Sequence, residues 1–145
     1  KQLALELQGK LILIYGGGIF SGMARRWKTQ FNENAKVWAF FETIPELLHN
    51  SVEAYRSLPE ISERTMVLLL QPDTGDARVR DRYRVAALLL QQSGISYRAL
   101  EGRGGRPLEQ LLGMLLLGDY VSYYLAMLNG VDPSPTPAIS WSKTL

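Results

Sequence analysis

Short apolar runs alternating with amphipathic helical stretches predict an α/β fold, a three-layer, doubly wound parallel sheet with helices on both faces. Three observations carry this. Leu11 to Tyr15 and Thr65 to Gln71 are nearly continuous apolar runs, the pattern of strands buried on both faces. Glycine or proline punctuates the ends of these runs, at Gly16-Gly17-Gly18 and at Pro72. Residues with helical periodicity follow each break, as in Phe20, Met23, Ala24, Trp27 and Phe31. Right-handed crossovers between four such strands give the flavodoxin-like order 2-1-3-4.

The elements follow in order. Leu3 to Leu7 reads as the tail of a helix that Gly9 stops. The first strand, Leu11 to Tyr15, leads through the triple-glycine turn into a helix over Phe20 to Phe31, whose Arg25, Arg26 and Lys28 fall largely outside the apolar face. Lys36 to Phe41, rich in aromatics, reads as the second strand. Ile44 to Leu58 reads as helical, bracketed by Pro45 and Pro59. Thr65 to Gln71 is the clearest strand, stopped by Pro72 and the turn Asp73-Thr74-Gly75-Asp76. A helix over Arg78 to Gln92 places Val79, Tyr83, Ala86 and Leu90 on the core side, and Gly94 stops it. Its arginines then form a solvated face rather than a nucleic-acid site. Ile95 to Leu100 is the fourth strand. After a Gly/Arg loop, Pro107 suits the first position of a long helix, Leu108 to Leu128. That helix is apolar nearly all round, which predicts burial on most sides, against the sheet and a second domain or subunit. Asn129-Gly130 caps it, and Pro133, Pro135 and Pro137 make a stiff connector to a segment ending at Lys143.

The chain of 145 residues is read as a single domain over 1–145, with 46% hydrophobic and 21% charged residues, which excludes wholesale disorder. It starts at Lys1 rather than Met, as a piece of a longer protein would. No cysteine is present and His49 is the only histidine, so disulfides, a thiol nucleophile and a multi-histidine metal centre are excluded. A net charge of +2 gives no sign of a nucleic-acid partner. The N-terminus lacks the features of a secretory signal, and Glu109 and Asp119 interrupt the longest apolar stretch. The expectation is a cytoplasmic protein without a membrane span.

Ligands of open parallel sheets sit at the carboxyl ends of the strands. The turn Gly16 to Gly22 occupies such a position, with Gly17, Gly18 and Ser21 as its candidate binding residues. It fits a dinucleotide site, although Ser21 replaces the third glycine of that pattern, or a sugar-phosphate site, or simply a tight turn capped by Ser21. Glu33, in Asn32-Glu33-Asn34, ends a helix, where the dipole disfavours a carboxylate. If desolvated, it would have the raised proton affinity that suits a general base; otherwise it is an exposed Glu beside a capping Asn. His49, in Pro45 to Asn50, is either a surface histidine or an acid/base.

The stretch Arg25 to Lys36, with its N-E-N-A-K block, resembles the C-terminal sugar isomerase (SIS) domain of bifunctional phosphoglucose/phosphomannose isomerases. The resemblance continues through the P-E-x-x-H-N block of residues 45–50, through Gly118 to Ala126 and through Gly130 to Pro135. It implies aldose–ketose isomerisation of glucose 6-phosphate or mannose 6-phosphate to fructose 6-phosphate through a cis-enediol. Glu33 matches the family's base, and His49, sixteen residues on, matches a histidine that helps open the pyranose ring. Lys143 matches a C-terminal lysine that assists ring opening. The resemblance further implies two SIS domains per chain, a homodimer in which the histidine reaches the partner subunit's site, and no metal or other cofactor. In the family the Ser/Thr cluster that grips phosphate belongs to the N-terminal SIS domain, and here Gly16 to Gly22 holds a single serine. Half of a two-domain enzyme is therefore expected, with a non-catalytic SIS module that binds a phosphosugar for regulation or dimerisation as the alternative.

Overall fold

The structure is a computed structural model and describes all residues except Leu58, Thr74 and Leu145. Four parallel strands, β1 (Leu11–Gly17), β2 (Ala39–Ile44), β3 (Thr65–Gln71) and β4 (Ser96–Glu101), lie in the order β2-β1-β3-β4. The expected fold class and strand order are those found. Helices α1 (Gln2–Leu7), α2 (Ser21–Asn34) and α5 (Pro107–Leu128) pack on one face, where Ile12, Ile14, Leu68 and Leu70 meet Trp27, Phe31, Met114 and Leu125. The other face is covered by α4 (Ala77–Gln92) and by two 3-10 turns, through Tyr15, Val67 and Leu69 against Leu47, Tyr55, Tyr83 and Leu90. The short helices α3 (Pro59–Arg64) and α6 (Pro137–Ser142) bury no residue.

Several boundaries differ from the sequence expectation, each for a local reason. β1 runs on to Gly17 because its ladder with β2 continues through Gly17↔Ile44. β2 begins at Ala39 and not at Lys36, because Lys36 is in the left-handed region (φ 56°) and ends α2. Asn32 Nδ2 then donates to the Val37 carbonyl at 2.8 Å, holding the connection against the helix. The stretch 44–58 is not one helix. Ile44 closes β2, and 3-10 turns over Glu46–His49 and Ser51–Arg56 meet at Asn50, whose non-helical backbone (φ −146°, ψ −66°) breaks the run and whose side chain caps Ser51. Leu58 and Thr74, the end of that stretch and part of the Asp73–Asp76 turn, lie outside the described residues. Asp76 caps α4 by accepting from the Arg78 N–H at 2.8 Å, and the Arg78 side chain beside it holds the carboxyl below its usual range.

The burial of α5 that this chain itself provides is the side expected against the sheet. The helix is buried along one stripe only, through residues such as Met114, Gly118, Val121 and Leu125. Gly118 is where Trp27 crosses: an added Cβ would lie 2.4 Å from Trp27 Nε1, which donates to the Met114 carbonyl at 3.0 Å. The opposite stripe, Leu108, Leu112, Leu116, Tyr120 and Tyr124, is exposed at four-residue spacing. By length and composition α5 is apolar enough to cross a membrane, and it is also the helix that closes this face of the sheet.

Candidate functional site

The topology separates the sequence-predicted residues into two groups. A parallel strand is followed by a helix that runs back, so the end of α2 lies beside the starts of β1 and β2. Asn32 Nδ2 reaches the Ala39 carbonyl at 3.5 Å, and Ala39 pairs with Ile12 near the start of β1. Glu33 is therefore at the amino end of the sheet. His49 follows Ile44, which pairs with the last residue of β1, and is at the carboxyl end together with Gly17, Gly18 and Ser21. The two ends are a strand length apart, roughly 20 Å. Glu33 and His49 of one chain do not meet at one substrate, and the Gly-rich turn cannot hold the phosphate of a sugar whose carbon lies at Glu33 of that chain.

At the carboxyl end the turn is closed upon itself. Gly16 is required because a Cβ there would lie 2.3 Å from the Phe20 carbonyl oxygen, and Gly17 because a Cβ would lie 2.9 Å from that of Ile44. Gly18 adopts φ 57°. The Gly17 N–H donates to the hydroxyl of Tyr83, which in turn donates to the Leu70 carbonyl. Ser21 is the first residue of α2, not its cap, and its hydroxyl donates to the Gly18 carbonyl at 3.0 Å. These contacts account for Gly17, Gly18 and Ser21 as a tight strand-to-helix turn. The Gly17 amide, which both the sugar-phosphate and the dinucleotide readings of this turn would use, is already engaged. Burial pushes the Tyr83 hydroxyl up, far from any titration near neutrality, as it does Tyr15 and Tyr55, which share a hydrogen bond of 3.0 Å. His49 projects beyond this end, exposed, on the first 3-10 turn.

At the amino end the polar groups point outward. Glu33 is exposed, and among the described residues no hydrogen bond or ion pair reaches its carboxylate. The flanking asparagines are engaged elsewhere. Asn32 is spent on the Val37 and Ala39 carbonyls, and Asn34 Nδ2 donates to Ser122 Oγ on α5 at 3.0 Å. They fix the helix end on which the carboxylate stands. A groove of about 570 Å³ opens there, lined by Asn32, Lys36, Trp38 and Phe40. Asn129 Nδ2 donates to the Ala35 carbonyl at 3.4 Å, so α5 also ends here. The connector after it, whose last predicted residue is Lys143, starts at this end; Lys143 itself is exposed at the close of α6. A larger groove of about 860 Å³, between β4 and α5, holds none of the sequence-predicted residues. Lys36 is the residue that sequence reasoning missed; its left-handed backbone is visible only in the structure.

A parallel sheet in this order, with a glycine turn after its first strand, is the architecture of the SIS fold. Solved structures share it at low identity. A glucose-6-phosphate isomerase like protein from Thermus thermophilus superposes with a TM-score of 0.68 at 23% identity, covering 91% of this chain and 42% of that one. The C-terminal domain of glucosamine-fructose-6-phosphate aminotransferase from Francisella tularensis gives 0.74 at 15% identity, covering 92% and 40%. Within that fold, the chain belongs to the family of the bacterial phospho-glucose isomerase C-terminal SIS domain, which it matches over residues 1–145. It is 34% identical over 143 residues to a bifunctional phosphoglucose/phosphomannose isomerase of Aquifex aeolicus (strain VF5), covering 99% of this chain and 44% of that protein. A protein of the same name from Thermoplasma volcanium (strain ATCC 51530) is 37% identical over 149 residues, covering 99% and 46%. The chain thus spans less than half the length of these relatives.

Proposed function

We propose that this chain is the base-bearing half of an aldose–ketose isomerase that interconverts glucose 6-phosphate or mannose 6-phosphate with fructose 6-phosphate. The observation that carries the reading is the placement of Glu33 on a braced helix end whose Asn32 and Lys36 line a groove, with its carboxylate unpartnered among the described residues. The relatives' names and the unfilled half of their length support it. In this reading Glu33 takes the proton from C2 of the open-chain aldose, and a cis-enediol forms as the C1 carbonyl oxygen gains a proton. The same carboxyl then returns the proton to C1 as the C2 hydroxyl gives up its own proton, balancing the one gained at the C1 oxygen, and becomes the ketone. A carboxylate that moves one proton between adjacent carbons consumes nothing and needs neither metal nor redox cofactor. The phosphate grip and the positive group for the enediolate come from an N-terminal SIS domain. His49 and Lys143 assist ring opening, with His49 acting in the site of a second subunit in a cytoplasmic homodimer.

The strand-length separation of Glu33 from His49 gives this reading a direct test. Glu33→Gln and His49→Ala are made in the two-domain protein and assayed apart and mixed. Apart, both variants are impaired. In a mixed dimer one of its two sites keeps a native Glu33 and a native His49, so mixing restores activity. Failure to recover activity after verified subunit exchange overturns the shared site. Full activity of Glu33→Gln alone overturns Glu33 as the base, and absence of turnover in the native two-domain protein leaves the non-catalytic phosphosugar module.

A further inference from the structure

Lys36 stands where a helix ends with its backbone at φ 56°, a region in which glycine is favoured and a lysine is strained. Its ammonium explains the choice. Nζ donates to the Glu33 carbonyl and, at 2.7 Å, to the carbonyl of Pro135, ninety-nine residues further on. One side chain thus joins the helix end that carries Glu33 to the proline connector that carries α6 and Lys143. The contact also brings a positive charge to the negative end of the α2 dipole, against which the Glu33 carboxylate stands.

We infer that Lys36 is a positioning residue, a clamp that holds the C-terminal arm against the Glu33 end so that Lys143 and Glu33 face one sugar phosphate. The inference rests on the proposed roles of those two residues; the clamp itself rests on the geometry. α6 buries no residue, and the Lys36 bridge ties the connector to the body ahead of it.

Lys36→Gly separates the clamp from the fold, because glycine relieves the left-handed strain while removing the ammonium. The thermal midpoint of the 145-residue chain is expected to hold or rise. Amide hydrogen exchange across α6 is expected to quicken about five- to tenfold, the scale of one lost hydrogen bond. In the two-domain protein, kcat on the cyclic substrate falls about ten- to a hundredfold with KM little changed, as misplacement of an auxiliary group predicts. Lys36→Arg, which keeps a cationic donor, recovers part of the loss. The double variant with Lys143→Ala loses less than the sum of the single losses, because the second change finds the arm already misplaced. Unchanged exchange in α6 overturns the clamp, whatever the activity shows. Quickened exchange with strictly additive kinetic losses overturns the link to Lys143. If Glu33→Gln alone retains turnover, the role of Glu33 as base fails, and α6 exchange still judges the clamp.

Discussion

The two ends of the sheet are built on opposite plans. At the carboxyl end, polar groups are satisfied within the chain: the Gly17 amide by Tyr83, the Tyr83 hydroxyl by Leu70, the Ser21 hydroxyl by Gly18. At the amino end, internal hydrogen bonds brace the backbone and leave the functional group out. Asn32, Asn34 and Lys36 all bond to their surroundings, while the Glu33 carboxylate between them meets no partner among the described residues. The general rule for open α/β sheets puts ligands at the carboxyl end. Here the glycine turn at that end is closed by packing, while at the other end the Glu33 carboxylate is left without a partner among the described residues. An exposed carboxylate is poorly suited to act as a base until another surface dries it. Under the proposed function, the amino end is one wall of a site that a second domain completes, and His49 a group lent to another.

The sharpest way to break this contrast is Glu33→Gln in the two-domain protein. Turnover of sugar phosphate is expected to fall by about 10³-fold while ligand binding persists, the scale of removing a general base. A steady-state assay with isothermal titration decides it; intact turnover removes the functional claim on the amino end. The carboxyl end is tested next, as structure. Gly16→Ala forces a Cβ to within 2.3 Å of the Phe20 carbonyl oxygen and must shift backbone. A loss of about 2–3 kcal/mol in denaturant unfolding is expected. Tyr83→Phe follows, leaving the buried Gly17 N–H and Leu70 carbonyl without their partner. That costs about 1–3 kcal/mol, read from the same unfolding curves. If either change leaves stability intact, the carboxyl end is looser than its contacts imply and is open to a ligand.

The sequence displayed the sheet because burial on two faces writes itself as an apolar run, as in Thr65 to Gln71, which the structure reproduces residue for residue. It misread 44–58 because Leu47 and Tyr55 bury with spacing that suits successive 3-10 turns as well as a helix, and Asn50 was not recognised as the break. For α5 the composition showed an apolar surface all round, but only the structure says which stripe faces the sheet and which is exposed in this chain. For the candidate site, the types and spacing of Glu33 and His49 were legible, but their separation was not. Only the ladder register places them at opposite ends. The strain at Lys36 was likewise invisible, since φ is a property of the fold and not of the residue.

The smallest effect is the most discriminating. Ser21 is half-buried, and its hydroxyl donates to the Gly18 carbonyl at 3.0 Å. If the turn is purely structural, Ser21→Ala removes one partly exposed hydrogen bond. Stability then falls by no more than about 1 kcal/mol, and KM for the sugar phosphate in the two-domain protein is unchanged. If the turn grips phosphate, the same change deletes a donor to a dianion, and KM rises severalfold with no comparable loss of stability. The topology favours the first outcome, because a phosphate at Ser21 and a reacting carbon at Glu33 of the same chain would have to be a strand length apart. A raised KM would mean that this turn serves a site whose base is on another chain. His49, at the same end, would then belong to that site too, and the closed end would be the second wall of a shared pocket.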